Sequence, residues 1–150
     1  MPYMRPDVFV SVPALYEFNE QTYRETRMNQ ESVIQLFSNW NDALATGDPD
    51  VVTNMYATDA VLLPTVSNKV RHNHEEIRDY FVGFLAKQPQ GVITESNARV
   101  LSDTLATNAG VYVFTFGDGS TVTARFNYTY ELTGGNWKII QHHSSAMPEG

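Results

Sequence analysis

One hundred and fifty residues, 42% hydrophobic and 18% charged, make one globular domain with a single core. The absence of cysteine excludes disulfide scaffolds, thiolate zinc sites, iron–sulfur clusters and cysteine nucleophiles. No apolar run is long enough to span a bilayer and no secretory signal is visible, which points to a cytoplasmic location; ten basic against seventeen acidic residues, a net charge of −7, argue against nucleic-acid and anionic-membrane partners.

Residues 1–28 read as an N-terminal arm or leader, and residues 29–150 as the folded domain. Pro2, Pro6 and Pro13 punctuate the arm. Val8-Phe9-Val10 is a short extended run, and Pro13 suits the first position of a helix carrying Leu15 and Phe18. Val33, Leu36, Phe37, Trp40 and Leu44 then recur at three- and four-residue steps, the stripe of an amphipathic helix that Gly47 ends. Asp48-Pro49 restarts a short helix, with Val51, Val52, Met55 and Tyr56 on its buried side. Ala60 to Val66 reads as a strand. Asn73-His74-Glu75-Glu76 has capping-box spacing. It opens a helix with Ile77, Tyr80, Phe81, Phe84 and Leu85 on one side, ending before Pro89.

From Gly91 the period changes to two. Val92 to Leu101 and Gly110 to Phe116 are candidate strands, followed by a turn at Gly117-Asp118-Gly119. Thr121 to Leu132 alternates cleanly, with Val122, Ala124, Phe126, Tyr128, Tyr130 and Leu132 on one face. Gly134-Gly135 makes another turn before a last strand, Trp137 to Ser145. Helices grouped ahead of a meander give an α+β domain. Three N-terminal helices pack on one face of a curved, mostly antiparallel sheet and enclose a cone-shaped cavity fit for a small molecule.

His142 and His143 are adjacent on a strand, point to opposite faces and cannot chelate one metal together. His142 is expected to share a face with Ile140 and Ser144, and Trp137, Ile139 and Gln141 to share the other. His72 and His74 read as exposed cap residues and Asp42 as surface. Asp59 is either a turn cap or a general base with a raised pKa facing an apolar cone. Arg78 flanks the apolar stripe of its helix, where it either grips a carboxylate at the cavity rim or pairs with an acidic residue of the chain. Arg125, on the polar face of its strand, pairs across the sheet or with another subunit. Tyr112, Tyr128 and Tyr130 bring hydroxyls that need partners.

The expected cavity contacts are Trp40, Tyr56, Arg78 and Tyr112, with Arg125, Tyr128, His142 and Ser144. Were the cavity catalytic, Asp59, Tyr56, His142 and Tyr128 would be its acid–base groups. No Gly-rich phosphate loop, metal-ligand spacing or nucleotide motif stands in the sequence, so no cofactor and no metal are expected.

Over roughly residues 31–148 the chain resembles the cone-shaped fold of nuclear transport factor 2, ketosteroid isomerase and the polyketide-cyclase-like (SnoaL-like) proteins. Within that fold it most resembles the association (hub) domain of calcium/calmodulin-dependent protein kinase II and its stand-alone relatives. The runs Ser38 to Asp48, Tyr56 to Thr65 and Ile77 to Leu85 mark the wider fold. The run Gly135-Asn136-Trp137-Lys138-Ile139-Ile140-Gln141-His142-His143-Ser144-Ser145-Ala146-Met147-Pro148 is specific to the subgroup.

The resemblance implies a non-catalytic self-association domain that pairs through its sheet and closes into a homo-oligomeric ring. It also implies a cone cavity that takes a small carboxylate. Arg78 matches an arginine of the family's helix motif, whereas Tyr128 and Ser144 stand where kinase hubs carry cavity arginines. The chain has no kinase domain and no basic amphipathic calmodulin-binding segment, so a kinase or calmodulin label describes the family. The alternative is a polyketide-cyclase-like enzyme or binder performing proton transfer or hydration on a small organic substrate, an isomerase, cyclase or dehydratase without cofactor.

Overall fold

A computed structural model describes residues 28–149. The extended run at Val8-Phe9-Val10 and the helix expected from Pro13 lie outside them. The first helix, α1 (Gln30–Ala45), is capped by Asn29, whose side chain accepts the Ser32 N–H at 2.8 Å. Its buried stripe is Val33, Phe37, Trp40, Ala43 and Leu44. The short α2 (Pro49–Thr53) is capped by Asp48. The third helix, α3 (His74–Leu85), is capped by Asn73, which accepts the Glu76 N–H at 2.9 Å. Glu76 answers by accepting the His72 N–H at 2.9 Å, one residue earlier than a strict capping box would have it.

Five strands follow the order β1-β5-β4-β3-β2: β1 (Tyr56–Leu63), β2 (Gln90–Ser102), β3 (Leu105–Thr115), β4 (Thr121–Thr133) and β5 (Asn136–Ala146). Four run antiparallel as a meander, and β1 alone pairs parallel, with β5. The helices cover one face, α1 against β2 and β3 and α3 against β1. The core lies between, with Trp40, Tyr56, Phe81, Tyr112, Tyr128 and Tyr130 almost wholly buried. The architecture is the α+β arrangement that the order of periodicities predicts.

Several placements differ from expectation, among them the end of β1, at Leu63 rather than Val66. The first strand begins at Tyr56 rather than Ala60, because Tyr56 pairs with Ile139 and the Ile139 N–H donates to Met55 O at 2.9 Å. Val51, expected on the buried side of α2, is 41% exposed. Strand β3 begins at Leu105 rather than Gly110, joined to β2 by the two residues Asp103 and Thr104.

Two places need glycine. At the β4–β5 hairpin, Gly134 and Gly135 have φ of 59° and 84°, the double positive φ that a two-residue turn matching the sheet twist requires. At Gly110 a Cβ would stand 1.9 Å from the Glu95 carbonyl oxygen, where the β2–β3 register shifts between Ile93 and Glu95.

A second bulge corrects the face assignment of β5. Thr129 pairs with Gln141 but Tyr130 pairs with Ile139, so Ile140 is the extra residue. The bulge shifts the alternation, and Ile139 joins His142 and Ser144 on the buried face instead of opposing them.

Each sheet edge is capped at two points. Along β2, Asn41 Oδ1 accepts the Gly91 N–H at 2.8 Å, and Gln30 Nε2 donates to Ala98 O at 3.1 Å. Along β1, Leu62 exchanges backbone hydrogen bonds of 2.9 Å with Arg71, and His74 Nε2 donates to Tyr56 O at 2.7 Å. His74 is therefore a sheet-edge clamp as well as a helix-start residue.

Candidate functional site

Strand parity brings Tyr112 of β3, Tyr128 of β4, and His142 and Ser144 of β5 to the face beneath α1, where Trp40 meets them. Tyr56 reaches the same point from β1. His142 sits at the centre. Its Nδ1 is 2.8 Å from the Tyr56 hydroxyl and its Nε2 is 3.2 Å from the Tyr112 hydroxyl. The Tyr128 ring stacks on it at 4.0 Å, and Trp40 meets it edge-on at 5.6 Å. Burial, with the neighbouring His143 charge second, lowers the His142 pKa from 6.5 to about 3, so the ring is neutral. Burial raises Tyr56, Tyr112 and Tyr128 above the usual phenol range.

The hydrogen bonds settle the direction of each proton from Trp40 to Ser144. Trp40 Nε1–H can only donate, and donates to the Tyr56 oxygen at 3.1 Å. Tyr112 donates to Ser144 Oγ at 2.6 Å, so its oxygen accepts from His142 Nε2–H. His142 Nδ1 therefore accepts from Tyr56. Ser144 is joined to the Thr65 hydroxyl. The order is Trp40, Tyr56, His142, Tyr112, then the Ser144–Thr65 pair.

Beside that pair is a cavity of about 30 Å³. Trp40, Tyr112, His142 and Ser144 form its inner wall, and Phe84, Phe116, Val66 and Lys87 its outer rim. Of the expected contacts, these four inner residues line the cavity. Tyr56 and Tyr128 reach it through His142. The two arginines stand elsewhere. Arg78 Nε donates to Asp50 Oδ1 at 2.6 Å on the surface between α3 and α2. Arg125 is on the exposed face of β4, opposite to Phe126 and Tyr128. Asp59 is on the exposed side of β1 and does not converge with His142. No group of three or more metal-ligating side chains occurs among the described residues. Thr65 falls inside the run Ala60 to Val66 expected to be a strand, but β1 ends at Leu63, and nothing in the local sequence marks this hydroxyl as a partner of Ser144.

The protein family profile "Calcium/calmodulin dependent protein kinase II association domain" matches residues 29–148. A Xanthomonas campestris protein provisionally assigned as such an association domain is 53% identical, with TM-score 0.77, covering 79% of this chain and 87% of its own. This chain belongs to the calcium/calmodulin-dependent protein kinase II association-domain family. The association domain of Caenorhabditis elegans calcium/calmodulin-dependent protein kinase II has the same fold at 18% identity and TM-score 0.65, covering 77% of this chain and 94% of its own. An NTF2-like protein of unknown function from Pseudomonas putida shares it too, at 18% identity and TM-score 0.69, covering 79% and 86%. No match was found among curated proteins. The heart of this association domain's fold is filled by an uncharged histidine–tyrosine network. No helix among its described residues is long and apolar enough to cross a membrane.

Proposed function

We propose that this association domain is a self-association module whose copies pair through the outer faces of their sheets and close into a homo-oligomeric ring. The outer face carries the reading. Val92, Val113, Val111 and Ala109 form an apolar strip across β2 and β3, with Val92 65% exposed. Glu95, Val111 and Arg125 lie in one row across β2, β3 and β4, acid on one side of the strip and base on the other. A two-fold axis through the strip would set Arg125 of one copy against Glu95 of the next, the self-complementary pattern of an isologous pair.

The cofactor-free enzyme reading has less support. Its base, Asp59, is on the surface, Tyr56 and His142 are spent on one another, and the Tyr128 hydroxyl is buried away from the cavity lining. Native mass spectrometry tests the proposal. A mass several times 16.9 kDa is expected. Arg125→Glu should lower it, and the exchange Arg125→Glu with Glu95→Arg should restore it. A monomeric wild-type chain would overturn the reading.

A further inference from the structure

The central network has one more hydrogen than it has bonds to place it in. Trp40, Tyr56, neutral His142, Tyr112, Ser144 and Thr65 each carry one donor hydrogen, and five hydrogen bonds join them. Because Tyr112 donates to Ser144, its oxygen accepts from His142, His142 accepts from Tyr56, and the surplus hydrogen falls at the Ser144–Thr65 end. Whichever of Ser144 and Thr65 donates to the other, one hydroxyl O–H of that pair is left over. Both hydroxyls border the cavity.

Charge is scarce there. Lys87 is the one charged residue among the described residues lining the cavity, and it is exposed at the rim, 5.9 Å from the Phe116 ring centroid. Arg71, which is not among the lining residues, lies over the outer tyrosine, 5.4 Å from the Tyr80 ring centroid; its Nη1 donates to Ser67 and Lys69 O and its Nη2 is 4.0 Å from Asp79, while its Nε is buried without a partner. An anion seated against Ser144 would have a lone hydroxyl donor and, among the cavity's lining residues, only the exposed Lys87 at the rim to offset its charge, a costly burial. The walls outside the chamber are apolar, formed by Pro64, Phe84, Phe116 and Val122. The same hydroxyl pair also borders a surface groove along Ser67, Lys69 and His143, but those polar walls give an apolar body nothing to rest on.

We propose that this cavity binds an uncharged hydrogen-bond acceptor, a carbonyl oxygen on a flat apolar body, in place of the carboxylate that the family resemblance implies. The oxygen occupies the chamber, which has about the volume of one water molecule. The body rests between Phe84, Phe116 and Val122. Binding of this kind is independent of self-association.

Three probes of one shape separate the alternatives: acetophenone, benzoate and α-methylstyrene, which present a neutral acceptor, a charged acceptor and none. Saturation-transfer NMR on the full-length protein at pH 7.5 should rank acetophenone tighter than either other probe by about tenfold, one hydrogen bond's worth. Val122→Phe, which thickens the cavity wall, should abolish acetophenone binding. Benzoate or α-methylstyrene binding as tightly as acetophenone would overturn the proposal, as would no binding or binding that survives Val122→Phe. Particle mass, recorded on the same samples, reports separately on self-association.

Discussion

Removing the Tyr56 hydroxyl while keeping its ring strands two buried groups at once, the Trp40 indole N–H and His142 Nδ1. Tyr56→Phe should therefore cost about 1–3 kcal/mol, a fall in Tm of roughly 3–10 °C for a chain this size. The same change at Tyr128 or Tyr130 should be neutral or stabilising in thermal melts, because those hydroxyls are buried without a hydrogen-bond partner. His142 gives the fold a pH signature. Its folded pKa, about 3, is below the ordinary 6.5, so the unfolded chain takes up a proton that the folded chain refuses. Stability from this group is fully present above about pH 6.5 and is lost as pH falls toward 3, by up to about 1.4 kcal/mol per pH unit. Urea melts between pH 7 and 5 should show that slope, and His142→Gln should flatten it even though it also lowers the plateau.

At the scale of elements, Gly110 and the sheet edges make the sharpest claims. Gly110→Ala drives a methyl into the Glu95 carbonyl at the β2 bulge and should cost about 1–3 kcal/mol, read as a lower urea midpoint. Replacing Asn41 and Gln30 together by Ala uncovers Gly91 N–H and Ala98 O on a thirteen-residue edge strand. Faster growth of turbidity on warming is the expected outcome. Elements with a clean period were legible in the sequence. The α1 and α3 stripes and the alternation of β4 placed Trp40, Phe81 and Tyr128 in the core. The start of β3 was not, because its inward positions are Ala106 and Asn108, small or polar residues that give no hydrophobic beat. The bulge at Ile140 and the early start of β1 are made by partners across the sheet, so no local pattern carries them. The site followed suit: Tyr112, His142 and Ser144 come from strand parity, whereas the surface pairing of Arg78 with Asp50 depends on how α2 and α3 pack.

On the scale of the whole molecule, the sheet is a local meander with one distant member. Strands β2 to β5 pair with sequence neighbours, but β1 has only β5 beside it in the strand order. Ending the chain after Thr133 deletes β5 and with it the ligands of Tyr56 and Tyr112 in the network. That truncation should expose α1 and lose slow amide exchange throughout, rather than leave a stable four-stranded remnant. Tyr56 waits for Ile139, more than eighty residues later. On a ribosome adding about 5–20 residues per second, that gap is on the order of ten seconds. Throughout it Phe37 and Trp40 have emerged with no finished sheet to cover them, so newborn chains need a chaperone's shelter more than their modest length suggests.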